Sequence, residues 1–329
     1  MTPELFLDKA VNASLVLGFF AAAIWFLRYL YGPGGKLRDP EWDRWNDEAD
    51  AERLRKVDAQ ADAAYEQAFL EYGRSFLGDD AAVNDHVRLK MEHSLRVLAH
   101  ARELAACEES LAPRFICRPL VLAAQFHDVG RFEQLRRYNT FADDVSCNHG
   151  LLGARVLHEK GFLQAEAPDI RRAATALVAL HNRFTLPERL VNSPKAAKRL
   201  LALKALRDAD KLDILYVMVK QLMPGQPLDK VILLNAKDQP DACNPAVVAA
   251  LREGRTALYR DIRYVNDFRM VLCTWLHDLH FATSLRLAAS MNVYPAIVQG
   301  LEGVPQAKAE AEALVQEKLG PFLATAQGK

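Results

Sequence analysis

Cysteine is scarce and scattered in this chain. The five residues, Cys107, Cys117, Cys147, Cys243 and Cys273, are odd in number and show no Cys-x-x-Cys spacing. A disulfide framework and a thiolate metal cluster are thereby excluded, and the cysteines read as buried free thiols of a reducing compartment. Net charge is missing as well. The 42 basic and 42 acidic residues cancel, so nothing drives non-specific binding to polyanions, and duplex nucleic acid is not an expected partner. No glycine-rich phosphate loop is present, and no internal repeat is visible. Strand-like runs are nearly absent. Val231 to Leu234 is the one short example, and Pro224, Pro227, Pro240 and Pro245 surround it with loops. What remains is Ala- and Leu-rich sequence with a period near 3.6, which predicts an all-α fold.

With 329 residues, half of them hydrophobic, the chain is long enough for a sizeable core and one or two domains. Val11 to Tyr31 is nearly all apolar, with Asn12, Ser14 and Arg28 as exceptions. About 20 such residues suffice to span a bilayer as a helix. Arg28, Lys36 and Arg38 follow it, while Glu4, Asp8 and Lys9 precede it. The expectation is a single pass through the inner membrane, anchored in residues 1–35, with the large domain facing the cytoplasm. Gly32-Pro33-Gly34-Gly35 breaks that helix. Residues 36–80 then read as a charged helical linker, or as a first helix packed on the domain. Residues 81–225 read as the main helical domain, and 226–329 as a helical carboxyl-terminal extension packed on its core. A homodimer is compatible with this organisation.

Chemistry concentrates around His127-Asp128, which ends the apolar run Leu120 to Phe126. An imidazole and a carboxylate at one point are ligands for a divalent ion of the manganese, iron or zinc kind. His93, His149, His181 and Asp210 lie in helical contexts on both sides. Asp128 is placed to bridge two ions, with His93, His127 and Asp210 on one and His149 and His181 on the other. In Asp208-Ala209-Asp210-Lys211-Leu212-Asp213, three carboxylates compete for the last position on residue type alone. Each histidine also has a plainer reading, as a surface or helix-end residue, and His86 and His100 share a stripe with His93. A second pair, His277-Asp278, lacks partner ligands downstream and reads as structural or as lining the pocket.

The ordered set resembles the HD-domain metal-dependent phosphohydrolases. The pieces are Lys90-Met91-Glu92-His93-Ser94-Leu95-Arg96-Val97, then Phe126-His127-Asp128-Val129-Gly130-Arg131, then the run through Asp210. The resemblance covers roughly residues 85–225 and implies an HD-domain helical bundle. It selects Asp210 over Asp208, and it likens Asn148-His149-Gly150 and Leu180-His181-Asn182 to the extra histidines of binuclear members. It implies two divalent ions, a phosphate-containing small molecule or nucleotide as substrate, and attack of metal-activated water on phosphorus. Asp128 and Arg131 are then the expected catalytic residues. Arg131 stands where binuclear relatives carry a lysine near the phosphate, with Lys90, Arg136 or Arg137 as substitutes for that role. The run His181-Asn182-Arg183-Phe184-Thr185-Leu186-Pro187 lacks the Gly-Tyr-Pro motif of the subgroup that cleaves cyclic di-GMP. The basic and aromatic segment Arg136 to Phe141 is expected to border the site, against phosphate and a ring, or to form an ordinary basic loop.

Overall fold

The computed structural model describes residues 22, 24–27, 29, 40–191, 196–222, 228–301 and 303–326. The chain divides into two units, Met1–Ala64 and Tyr65–Lys329. All described residues of the first unit are helical. No helix among the described residues is long and apolar enough to cross a membrane. On that finding the expected single pass over Val11 to Tyr31, and with it the inner-membrane location and the lipid bilayer as partner, is corrected. Most of that segment lies outside the described residues.

The second unit starts within helix α1 (Pro40–Arg74). From Tyr65 on, the segment expected as a linker carries aromatic side chains into a core. Phe69 is fully buried, with its ring 5.8 Å from both Phe126 and Phe132, and Tyr72 lies 5.6 Å from Phe162. Then come α2 (Ala81–Cys107), α3 (Arg114–Phe126), α4 (Val129–Tyr138), α5 (His149–Lys160), α6 (Pro168–Leu180) and α7 (Ala197–Leu222). Helix α2 packs on α3 and α7, α3 on α6 and α7, and α5 on α4 and α6. The starts and stops follow local chemistry. The Asp80 carboxylate accepts the Ala82 and Val83 amides at 2.9 and 3.1 Å, and the Asn148 side chain accepts the Leu151 amide at 2.8 Å. Each satisfies backbone donors that a helix start leaves open. Gly161, at φ 66°, closes α5 in the left-handed region.

Helix α3 begins at Arg114, where the Ile116 and Cys117 amides close a turn on the Pro113 carbonyl. Pro119 inside the helix forfeits only the one amide bond it cannot make. From Ala197 to Leu222 the chain is one unbroken helix, α7. Val231 to Leu234 forms turns, with Leu234 and Asn235 at φ 51° and 60°. Among the described residues there is no strand, only an isolated bridge between Lys237 and Tyr264.

The carboxyl-terminal helices α8 (Pro245–Arg252), α9 (Val265–Thr274), α10 (Ala282–Ser290), α11 (Tyr294–Gln299) and α12 (Pro305–Ala326) share one apolar core. Val247, Met270, Tyr294 and Leu314 meet Leu212, Leu215 and Leu222 there. The second half of α7 thus belongs to both cores, and Asp210 sits next to that junction.

Candidate metal centre

Two histidines occupy equivalent places at helix ends. His127 follows α3 and His181 follows α6, and each directs Nδ1 back to the carbonyl three residues earlier. The distances are 2.9 Å to Ala124 O and 2.8 Å to Val178 O. A carbonyl only accepts, so Nδ1 carries the proton and Nε2 keeps its lone pair. The other two histidines use carboxylates instead. His93 in α2 gives Nδ1 to Asp213 Oδ2 at 2.6 Å, and His149 at the start of α5 gives Nδ1 to Asp143 at 2.8 Å. All four rings therefore turn Nε2 inward. All four are buried, between 0% and 4% exposed.

The inward nitrogens meet in pairs, His93 with His127 at 3.1 Å and His149 with His181 at 3.0 Å. If both rings of a pair are neutral with Nδ1 protonated, lone pair faces lone pair, which a proton or a metal ion shared between the two nitrogens relieves. Two nitrogens bound at right angles to one ion at about 2.1 Å would stand about 3.0 Å apart, so the spacing fits. Asp128 lies between the pairs. Its Oδ2 is 3.6 and 3.7 Å from the His93 and His127 Nε2 atoms, and its Oδ1 is 3.3 and 3.8 Å from those of His149 and His181. Asp210 Oδ1 joins the first pair, 3.1 Å from His93 and 3.6 Å from His127. His93, His127 and Asp210 form one group of converging ligand atoms; His127, Asp128 and His181 form another. All six expected ligand residues converge.

Glycines make this convergence possible. A methyl on Gly130 would run into the His149 carbonyl and the Gly153 amide. One on Gly150 would stand 2.6 Å from the Asn182 Oδ1 and 2.8 Å from the Val178 carbonyl. Without side chains at these two points, α4 and α6 both approach the start of α5, and Asp128 and His181 reach His149.

Charge follows geometry. Burial opposes ionisation of Asp128, but Lys90, His127 and Arg131 beside it hold it well below the usual carboxylate range. Asp210, half-buried, is likewise held low by His127 and His93 against the opposing effect of desolvation. Burial, reinforced by the nearby Arg131, pushes His149 down to about 3, so its imidazole is neutral at physiological pH. Burial and Lys90 work against protonation of His93, but Asp210 and Asp213 outweigh them and raise it.

The runners-up have other partners. Asp208 is fully buried, and accepts the His280 amide at 2.7 Å, the Phe281 amide at 3.2 Å and the Ser284 hydroxyl at 2.7 Å. Asp278, from the second His-Asp pair, accepts from Lys211 at 2.5 Å and Arg207 at 3.1 Å. These contacts tie the carboxyl-terminal segment to the turn of α7 that carries Asp210. Arg131 sits where it was expected, with Nε 3.4 Å from Asp128, but its Nη1 serves Gln134 Oε1 at 2.8 Å, Phe141 O at 2.5 Å and Asp143 at 3.2 Å. Instead of projecting toward a substrate, this group braces the loop that supplies Asp143. Arg136 and Arg137 both pair with Glu133, away from the ligands.

Asp143 and Asn182, whose Nδ2 donates to Asp143 at 2.7 Å, were not singled out from sequence. Asp143 belongs to no helical repeat, and only its contact with His149 reveals it. Asp213 had a readable signal: it lies one helical turn after Asp210, and its partners His93 and Arg96 are one turn apart on α2. Arg96 Nε holds its other oxygen at 2.6 Å.

No curated protein and no solved structure matches the chain. Residues 91–215, under half of its length, match the family model of the HD domain. The helices that bring His93, His127-Asp128 and Asp210 together are therefore an HD domain, the domain of the metal-dependent phosphohydrolase superfamily.

Proposed function

We propose that the chain is a binuclear metal-dependent phosphohydrolase acting on a phosphodiester or a nucleotide. The observation that carries this reading is the pairing of four buried, inward-turned histidine Nε2 atoms about the two oxygens of one carboxylate. His93, His127, Asp210 and Asp128 Oδ2 would hold one ion; His149, His181 and Asp128 Oδ1 would hold the other. When bound, such ions lower the pKa of a water to near neutrality and offset charge on phosphate oxygens. The protein's share is to keep the ligands ionised or neutral as required and to fix their direction before substrate arrives. Asp213 and Asp143 hold His93 and His149 in the productive tautomer. Asp128 keeps its proton off through Lys90 and Arg131. Arg131 acts through Asp143 and Asp128 as a positioning residue.

The test is manganese-loaded full-length protein offered cyclic dinucleotides, nucleoside monophosphates and nucleoside triphosphates. Metal-dependent hydrolysis of one class, abolished in Asp128→Ala, is expected. Protein that holds its metals and hydrolyses none of them would favour a ligand-sensing module without turnover.

A further inference from the structure

Lys90 stands out among the cations near the ligands. Arg131 is given to Gln134, the Phe141 carbonyl and Asp143, Arg96 to Asp213, and Arg136 and Arg137 to Glu133. Among these described cations Lys90 alone has one short partner, Asp128 Oδ2 at 2.8 Å, and that oxygen is one a metal would claim. The lysine lies one turn before His93 on the same face of α2, and its side chain is 16% exposed. Its ammonium stands 5.2 Å from the centre of the Phe141 ring, which is itself buried and also lies 5.6 Å from the Arg131 guanidinium. His86, the next residue along the same face, packs edge-on to Phe141 at 5.9 Å and is paired with Asp229 at 2.9 Å.

We infer that Lys90 is the residue that binds the substrate phosphate, in the role that the sequence pattern assigns to position 131. The inference rests on the phosphohydrolase reading above. A lysine side chain only 16% exposed has lost much of its hydration and is costly to leave without an anion. Once Asp128 gives both oxygens to ions, the charge that balanced Lys90 is spent on them. A phosphate oxygen on the open side of the ions replaces it. Lysine suits the exchange: its compact charge sits on a flexible stem and donates in three directions, so it can turn from carboxylate to phosphate. Phe141 holds the ammonium from below by a cation–π contact and keeps solvent from screening it. Arginine at 131 is then free of the substrate and can serve as a brace, which is what its hydrogen bonds show.

The experiment uses full-length protein, wild type and the variants Lys90→Ala, Lys90→Gln and Lys90→Arg, each loaded with manganese and assayed for metal per chain. Binding of inorganic phosphate is measured by calorimetry, and hydrolysis by the best substrate of the panel above. Lys90→Ala and Lys90→Gln should keep the wild-type metal content, bind phosphate at least tenfold more weakly and lose a similar factor in kcat/KM. Lys90→Arg should recover part of both. Wild-type phosphate affinity in Lys90→Ala, with metals intact, overturns the inference and leaves the proposed function standing. Loss of metals in both neutral variants also overturns it, by making Lys90 a support of Asp128. If wild-type protein with bound metals neither binds phosphate nor hydrolyses any ester, the phosphohydrolase reading fails first.

Discussion

The two ends of the ligand cluster are anchored differently. Around His93 and Asp210 the supports come from the middles of two long helices. Asp213 is fully buried and clamped by Arg96, and the Asp210 turn is tied to the carboxyl-terminal extension through Asp208 and Lys211. Around His149 and His181 the supports are helix ends and the three-residue 3-10 turn Asp143–Val145, and the Asp143 side chain is 30% exposed. A ligand held from inside a helix has almost no freedom to turn. One held by a loop keeps its direction only while the loop keeps its shape. The first end should therefore hold its ion more firmly, and the second should be the easier one to empty.

The largest effect is expected where the ends meet. Asp128→Ala removes the one ligand common to both, and should lower metal content at both ends and abolish turnover, a loss of at least about a thousandfold if water activation needs both ions. Elemental analysis and steady-state kinetics check this. Retention of both ions would break the comparison at its root. Next come the two supporting carboxylates. Asp213→Asn and Asp143→Asn should each weaken metal binding by roughly ten- to a hundredfold, the usual effect of losing such a partner. The first should act on one ion and the second on the other, read as two separate steps in a manganese titration. Equal weakening of both steps in both variants would deny that the ends are independent.

Gly130→Ala probes the shared packing. A methyl there meets backbone, which cannot move aside as a flexible side chain would. A loss of about 1–3 kcal/mol is expected, seen as a lower Tm in calorimetry. An unchanged Tm would show that α4 can withdraw from α5 freely.

The smallest effect concerns pH, and it separates the ends by sign. In metal-free protein His149 titrates at about 3, against 6.5 for an unperturbed histidine. Between those values the unfolded chain takes a proton that folded His149 refuses, so this end loses stability as pH falls from about 6.5 toward 3. His93 is raised, so its contribution is fully present below 6.5 and is lost as pH rises through its raised value. In urea unfolding, His149→Gln should flatten the decline between pH 6.5 and 4.5, and His93→Gln should flatten the loss of stability as pH rises above 6.5. The same slope in both variants would remove the distinction.

The first end was also the more legible one in the sequence. His93 and Asp210 lie within helices and His127-Asp128 follows one directly, where fixed spacing and flanking apolar residues mark a face. What could not be read depends on contacts between distant segments. Asp143 matters only because Gly130 and Gly150 let three helices close on the start of α5. Arg131 looks from its spacing like a residue aimed at substrate, and its hydrogen bonds to Phe141 and Asp143 appear only when the loop is folded. The strand-like Val231 to Leu234 misled because apolar β-branched residues also suit a buried turn, here capped by Asp229.

The most direct test of the bridging role of Asp128 is anomalous diffraction from crystals of manganese-loaded protein. Two peaks about 3.5–4 Å apart are expected, one beside Asp128 Oδ2 with His93, His127 and Asp210, the other beside Oδ1 with His149 and His181. A single peak, or two peaks of which only one touches Asp128, would contradict the account.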